Sequence, residues 1–146
     1  MVEWLERAFP GLRGTAYRVT SPPTDKYNCI AWAAGASADW WWPLDESQRT
    51  YWPSSVPREV SVDAFVAAFA TLGYSICSDD FIEPEFEKVA LFANPGGLPT
   101  HAARQLPTGR WTSKLGQSGD IEHDLRALEG QIYGTVAVIL RRPGLR

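Results

Sequence analysis

Helix-like patterning dominates the first half of the chain and strand-like patterning the second, and this segregation is what most restricts the fold. Strands alternating with helices would call for a parallel sheet. Helices followed by strands point to an α+β fold with an antiparallel sheet. The clearest helix runs over Ser61–Leu72, where Val62, Phe65, Val66, Phe69 and Leu72 make one apolar stripe. Ser61 suits its N-cap and Gly73 its end. A second helix is expected over Cys29–Gly35, uncharged and rich in alanine, with Asn28 at its N-cap. A short helix is expected over Val2–Phe9. Strands are expected at Ala16–Val19, Tyr74–Cys77, Glu87–Ala93 and Tyr133–Leu140, and as a hairpin of His101–Leu106 with Arg110–Leu115 about Pro107-Thr108-Gly109. Late in the chain, Asp120–Glu129 reads as a helix, with Ile121, Leu125 and Leu128 inward and Gly130 beyond its end. Ala38–Pro57 is a long loop holding Trp40-Trp41-Trp42 and Trp52.

Composition narrows the functional classes. With 146 residues, 45 % hydrophobic and 21 % charged, residues 1–146 are expected to form a single globular domain. The net charge is −3 and no lysine–arginine block occurs, which argues against a nucleic-acid partner. No apolar run has the length of a membrane span. The first residues lack a basic start followed by an apolar stretch, so a cytoplasmic location is expected unless a dedicated secretion system exports the chain. Two cysteines are too few for a disulfide framework.

Cysteine and histidine carry the chemistry. Cys29 opens the expected uncharged helix, where partial positive charge and free N–H groups favour a thiolate. Its own N–H and the Asn28 side chain are candidate oxyanion donors. A base must come from elsewhere in the chain, and His101, at the start of a strand after the Asn94–Pro99 loop, is the candidate. Asp120 and His123 are the candidates for orienting it, although Asp120 reads equally as a helix N-cap. Trp41, Trp42 and Ser113 are candidate substrate contacts, with a purely structural role for the rings, and an exposed strand end for Ser113-Lys114, as the plainer reading. Cys77 is expected to be an inert strand residue. Two cysteines and two histidines match the count of a zinc site, but no closely spaced Cys–Cys or His–His pair exists, so neither metal nor cofactor is expected.

Tyr27-Asn28-Cys29-Ile30-Ala31-Trp32-Ala33 resembles the cysteine-bearing helix start of papain-like cysteine peptidases and amidases, the superfamily that includes NlpC- and CHAP-type enzymes. Pro99-Thr100-His101-Ala102-Ala103-Arg104-Gln105-Leu106 resembles the histidine strand of those enzymes. The runs Trp111–Gly116 and Asp120–His123 are similar to an uncharacterised bacterial group of the same superfamily, so the likeness spans Asn28 to Arg142. The resemblance implies a papain-like core with the cysteine helix packed on the sheet. It implies hydrolysis of an amide, peptide or isopeptide bond through a Cys29 thiolate and a His101 base, with deamidation or acyl transfer open to the same chemistry. A protein or peptide substrate, and a cognate inhibitor protein, would be the partners. The alternative is a non-enzymatic protein- or peptide-binding module that uses the tryptophan-rich loop.

Overall fold

The computed structural model describes residues 2–44, 50–116 and 118–144. Three α-helices form: α1 (Val2–Ala8), α2 (Cys29–Ala33) and α3 (Val62–Ala70). Local chemistry sets the starts of the last two. The Asn28 side chain accepts from the Ala31 N–H, and the Ser61 side chain from the Ala64 N–H.

Among the described residues there are nine strands, numbered in chain order: β1 (Arg18–Val19), β2 (Trp40–Trp41), β3 (Thr50–Tyr51), β4 (Ser75–Cys77), β5 (Phe86–Ala93), β6 (Pro99–Gln105), β7 (Trp111–Lys114), β8 (Asp120–His123) and β9 (Thr135–Pro143). Seven of them make one antiparallel sheet in the order β1-β8-β7-β6-β5-β9-β4. The expected α+β class is the one observed, and the β6–β7 hairpin forms with Arg104 opposite Thr112. Inside the tryptophan-rich loop, β2 and β3 pair in parallel as a separate small ribbon. The loop residues 45–49 lie outside the described residues.

Both faces of the sheet are covered. Alternation along β5 sends Val89 and Leu91 to one side, and Ala90 and Phe92 to the other. The first side meets α2 and α3 through Ile30, Ala31, Phe65 and Phe69. The second meets α1 and the 3₁₀ turns Pro10–Leu12 and Leu125–Leu128 through Leu5, Leu12, Leu125 and Leu128. Strand β6 alternates likewise, with Ala102 in the first cluster and Ala103 in the second.

One element departs from expectation. Asp120–His123 is a strand and not the start of a helix; only Leu125–Leu128 turns, as 3₁₀ helix. The apolar spacing of Ile121, Leu125 and Leu128 fits a helix, but Ile121 is also β-branched and sits opposite Ser113 in the β7–β8 ladder. Pairing on both sides, with β7 and β1, overrides the local preference. Asp120 is therefore a ladder residue, with no helix to cap.

Gly134 leads into β9 at φ +74, and a Cβ there would stand 1.9 Å from the Ala93 carbonyl oxygen. The chain passes so close to β5 at this point that only glycine fits.

Candidate active site around Cys29 and His101

Asn28 fixes the start of α2 and ties it to the small ribbon. Its Oδ1 accepts from the N–H groups of Ala31 (3.0 Å) and Trp41 (3.1 Å), and its Nδ2 donates to the Trp41 carbonyl at 2.9 Å. Oxygen and nitrogen are both engaged with backbone in a buried setting. The amide is a structural clamp that keeps one Nδ2 hydrogen outside these bonds.

Cys29 is half-buried and leans on the α2 side of the sheet. Burial pushes its thiol up to about 11. The backbone N–H groups of Ala102, Ile30 and Cys29 itself, and the positive charge of Lys114, pull the other way without overcoming it. The ladder between β6 and β7 is paired at Arg104–Thr112 and Gln105–Trp111, which leaves the Ala102 N–H to meet the sulfur.

His101 is fully buried. Its ring lies flat on Tyr133, centroids 4.0 Å apart at 9°, and meets the edge of Phe92 at 5.2 Å. Its Nε2 is 2.9 Å from Ser113 Oγ, and the same oxygen is 2.7 Å from His123 Nε2. His123 in turn places Nδ1 2.7 Å from the Asp124 carbonyl oxygen. Burial, reinforced by the neighbouring His123, holds the imidazole of His101 well below the usual histidine range. Burial also pulls His123 down to about 4.

The thiol lies on the α2 face of β6, and the His101 ring on the opposite face with Phe92 and Tyr133. Ala102, whose N–H meets the sulfur, directly follows His101. Tyr133, which stacks on His101, has its hydroxyl pushed up by burial and then by the charge of Cys29. Among the described residues, no hydrogen bond joins Cys29 to His101, and His101 Nδ1 is buried without a partner. Among the described residues, Gln105 Oε1 is the one other buried side-chain polar atom in that condition.

The remaining candidates fall elsewhere. The Asp120 carboxylate receives the Tyr27 hydroxyl at 2.9 and 3.1 Å, so the partner of His101 is Ser113 and not Asp120. His123 reaches His101 through Ser113. Ser113 is buried inside this chain of hydrogen bonds rather than presented to a substrate. Trp41 is buried against Tyr51 and Phe69, and Trp42, partly buried, stands edge-on to Phe65, so both rings brace the α2–α3 core.

Lys114 is a surprise of the opposite kind. The sequence reads it as an exposed strand end, yet it is fully buried, with its ammonium on the Gly116 and Ser118 carbonyls and over the Tyr27 ring. Burial lowers its pKa, against the raising effect of Asp120, Cys29 and Asp25. The sequence placed it in a strand, but its ladder partner Asp120 read as the start of a helix, so nothing marked its burial. Tyr133 carried no signal either. Cys77 lies in β4, half-buried, with its thiol on the Asp79 carbonyl.

Among the described residues no three or more His, Cys, Asp or Glu side chains converge as metal ligands, and no helix is long and apolar enough to cross a membrane. The architecture defined so far is an α+β protein whose antiparallel sheet carries a buried Ser–His–His network on one face and a half-buried cysteine against the other. Residues 18–141 match the family described as Domain of unknown function (DUF7689), and the chain belongs to that family. Comparison with curated proteins and with solved structures gave no match.

Proposed function

We propose that the chain is a cysteine hydrolase of papain-like type, acting on an amide, peptide or isopeptide bond in a protein or peptide. The observation that carries this reading is the buried, unpartnered Nδ1 of His101, one residue along the strand from the backbone N–H that meets the Cys29 thiol. A buried nitrogen that gives up hydrogen bonding costs about 1–3 kcal/mol, and a catalytic role is one explanation for retaining such a group.

Both partners rest neutral, since burial raises the thiol and lowers the imidazole. The pair therefore works by general-base transfer at the moment of attack, in place of a standing thiolate–imidazolium pair. In this reading His101 Nδ1 takes the thiol proton as the sulfur bonds to the substrate carbonyl carbon, which requires the thiol to reach the His101 ring past Ala102, between the two faces of the sheet. The carbonyl electrons move to oxygen, for which the Ala102, Ile30 and Cys29 N–H groups gathered near the sulfur are the candidate donors. The imidazolium returns its proton to the leaving amine, and water then cleaves the thioester with His101 again as base. Transfer to another amine, or release of ammonia from a side-chain amide, follows the same steps.

The test is acylation by p-nitrophenyl acetate, followed by release of nitrophenol and by intact mass. An acetyl group is expected on Cys29, lost in Cys29→Ala and formed at least about a hundredfold more slowly in His101→Ala, the scale of a missing general base. Absence of the Cys29 adduct, or equal rates with and without His101, would sink the hydrolase reading. The alternative is a peptide-binding module using the tryptophan-rich loop, of which Trp41 is buried while Trp40, Trp42 and Tyr51 keep exposed surface.

A further inference from the structure

The polarity of the hydrogen-bond chain is fixed at its far end. The Asp124 carbonyl can only accept, so His123 Nδ1 must carry a proton and donate to it across 2.7 Å. A neutral His123 then has a bare Nε2, which can only accept. Ser113 has a single O–H, and it must point at that nitrogen across 2.7 Å. What Ser113 offers His101 is a lone pair, so the 2.9 Å contact requires a proton on His101 Nε2. The reverse polarity would need His123 protonated on both nitrogens, a cation with no exposed surface beside a second buried imidazole.

We propose that Ser113 and His123 are positioning residues that lock His101 in the tautomer with its proton on Nε2, keeping Nδ1 a bare lone pair. Of the two neutral tautomers, this is the one able to take a proton at the unpartnered nitrogen. When Nδ1 gains a proton, Nε2 remains a donor to Ser113, so no bond in the chain has to reverse. The stack on Tyr133 holds the ring plane while this happens. The chain thus supplies what Asp120 does not, and it spends a serine and a second histidine where a single carboxamide or carboxylate would ordinarily serve.

The chemical role rests on the hydrolase reading, but the tautomer does not, and nitrogen NMR reads it directly. The chain has two histidines, so the imidazole spectrum of the ¹⁵N-labelled protein near neutral pH holds two rings, assigned with His123→Gln. Opposite tautomers are expected: a proton on Nδ1 of His123 and on Nε2 of His101. Ser113→Ala should let His101 average between tautomers, and slow acetylation of Cys29 by p-nitrophenyl acetate about a hundredfold. Ser113→Thr, which keeps the hydroxyl, should restore both. A proton on Nδ1 of His101, or one tautomer shared by both rings, overturns the proposal on the unaltered protein, whatever the variants do. Opposite tautomers without acetylation would uphold the locking and refute the hydrolase. Reversed tautomers with acetylation would do the converse.

Discussion

Acid should unfold this protein earlier than its carboxylates alone would require. His123 is fully buried and its pKa is drawn from 6.5 down to about 4. A histidine depressed in the folded state binds its proton more readily in the unfolded chain. Its contribution to stability is complete above the unfolded pKa and is lost as pH falls from there toward the folded value. With those two pKa values, the loss between about pH 7 and pH 5 is about 2 kcal/mol from His123 alone. His101 adds a loss of the same sign, because burial and His123 depress it too. The depressed carboxylates, Asp79, Glu83 and Glu122, act in the same direction but at lower pH, below their unfolded values of about 4. The interval between about pH 7 and pH 5 therefore isolates the histidines. Urea midpoints across this interval, followed by tryptophan fluorescence, measure the loss, and His123→Gln should shrink it by about 2 kcal/mol whatever its own cost at neutral pH. A wild-type curve flat over this range, or an unchanged loss in His123→Gln, would refute a buried neutral pair.

Other expectations follow from geometry. Gly134→Ala pushes a Cβ into the Ala93 carbonyl at positive φ, and should cost at least about 2 kcal/mol by thermal or chemical unfolding; a change under about 0.5 kcal/mol would contradict the close approach. Phe65→Ala empties a fully buried site against Trp42 and Trp52 and should cost about 3–5 kcal/mol in urea titrations, with altered native fluorescence. Iodoacetamide should alkylate Cys29 more slowly than glutathione near neutral pH, with a rate still climbing toward about pH 11; a plateau near neutrality would show a thiolate already formed.

What sequence revealed and what it hid divide along local and non-local lines. The cap at Asn28, the α3 stripe and the β6–β7 hairpin are short-range patterns, and each led to the right element. Asp120–His123 misled because its apolar spacing fits a helix, while the ladder partners that decide the matter, Arg18–Val19 and Trp111–Lys114, lie outside the segment. The site followed the same division. Cys29 and His101 stand out by residue type, but the partner of His101 does not. Ser113 becomes the bridge only because β7 lies between β6 and β8, which places one hydroxyl between two imidazoles. Lys114 read as surface because lysine usually is, and two carbonyls of the following turn that bury its charge cannot be foreseen from composition. The tryptophans could be read equally as loop braces or as a substrate wall, and Trp41, Trp42 and Trp52 pack on Phe65 and Phe69 of α3, partners that no local pattern announces.

The sheet order also bears on how the chain is made. Strands β4 and β5 are consecutive in sequence, yet β9 lies between them, bonded to Ser75–Cys77 on one side and to Phe86–Ala93 on the other. A ribosome delivers the two outer rails of this track well before the strand that fills it. Until Thr135–Pro143 emerges, β5 presents one bare edge while its Val89 and Leu91 are already committed to the core with α2 and α3. Unpaired edges of this kind recruit other chains. The last strand is thus a keystone set from outside, and a translation stall before residue 135 leaves a half-built sheet that chaperones must shield.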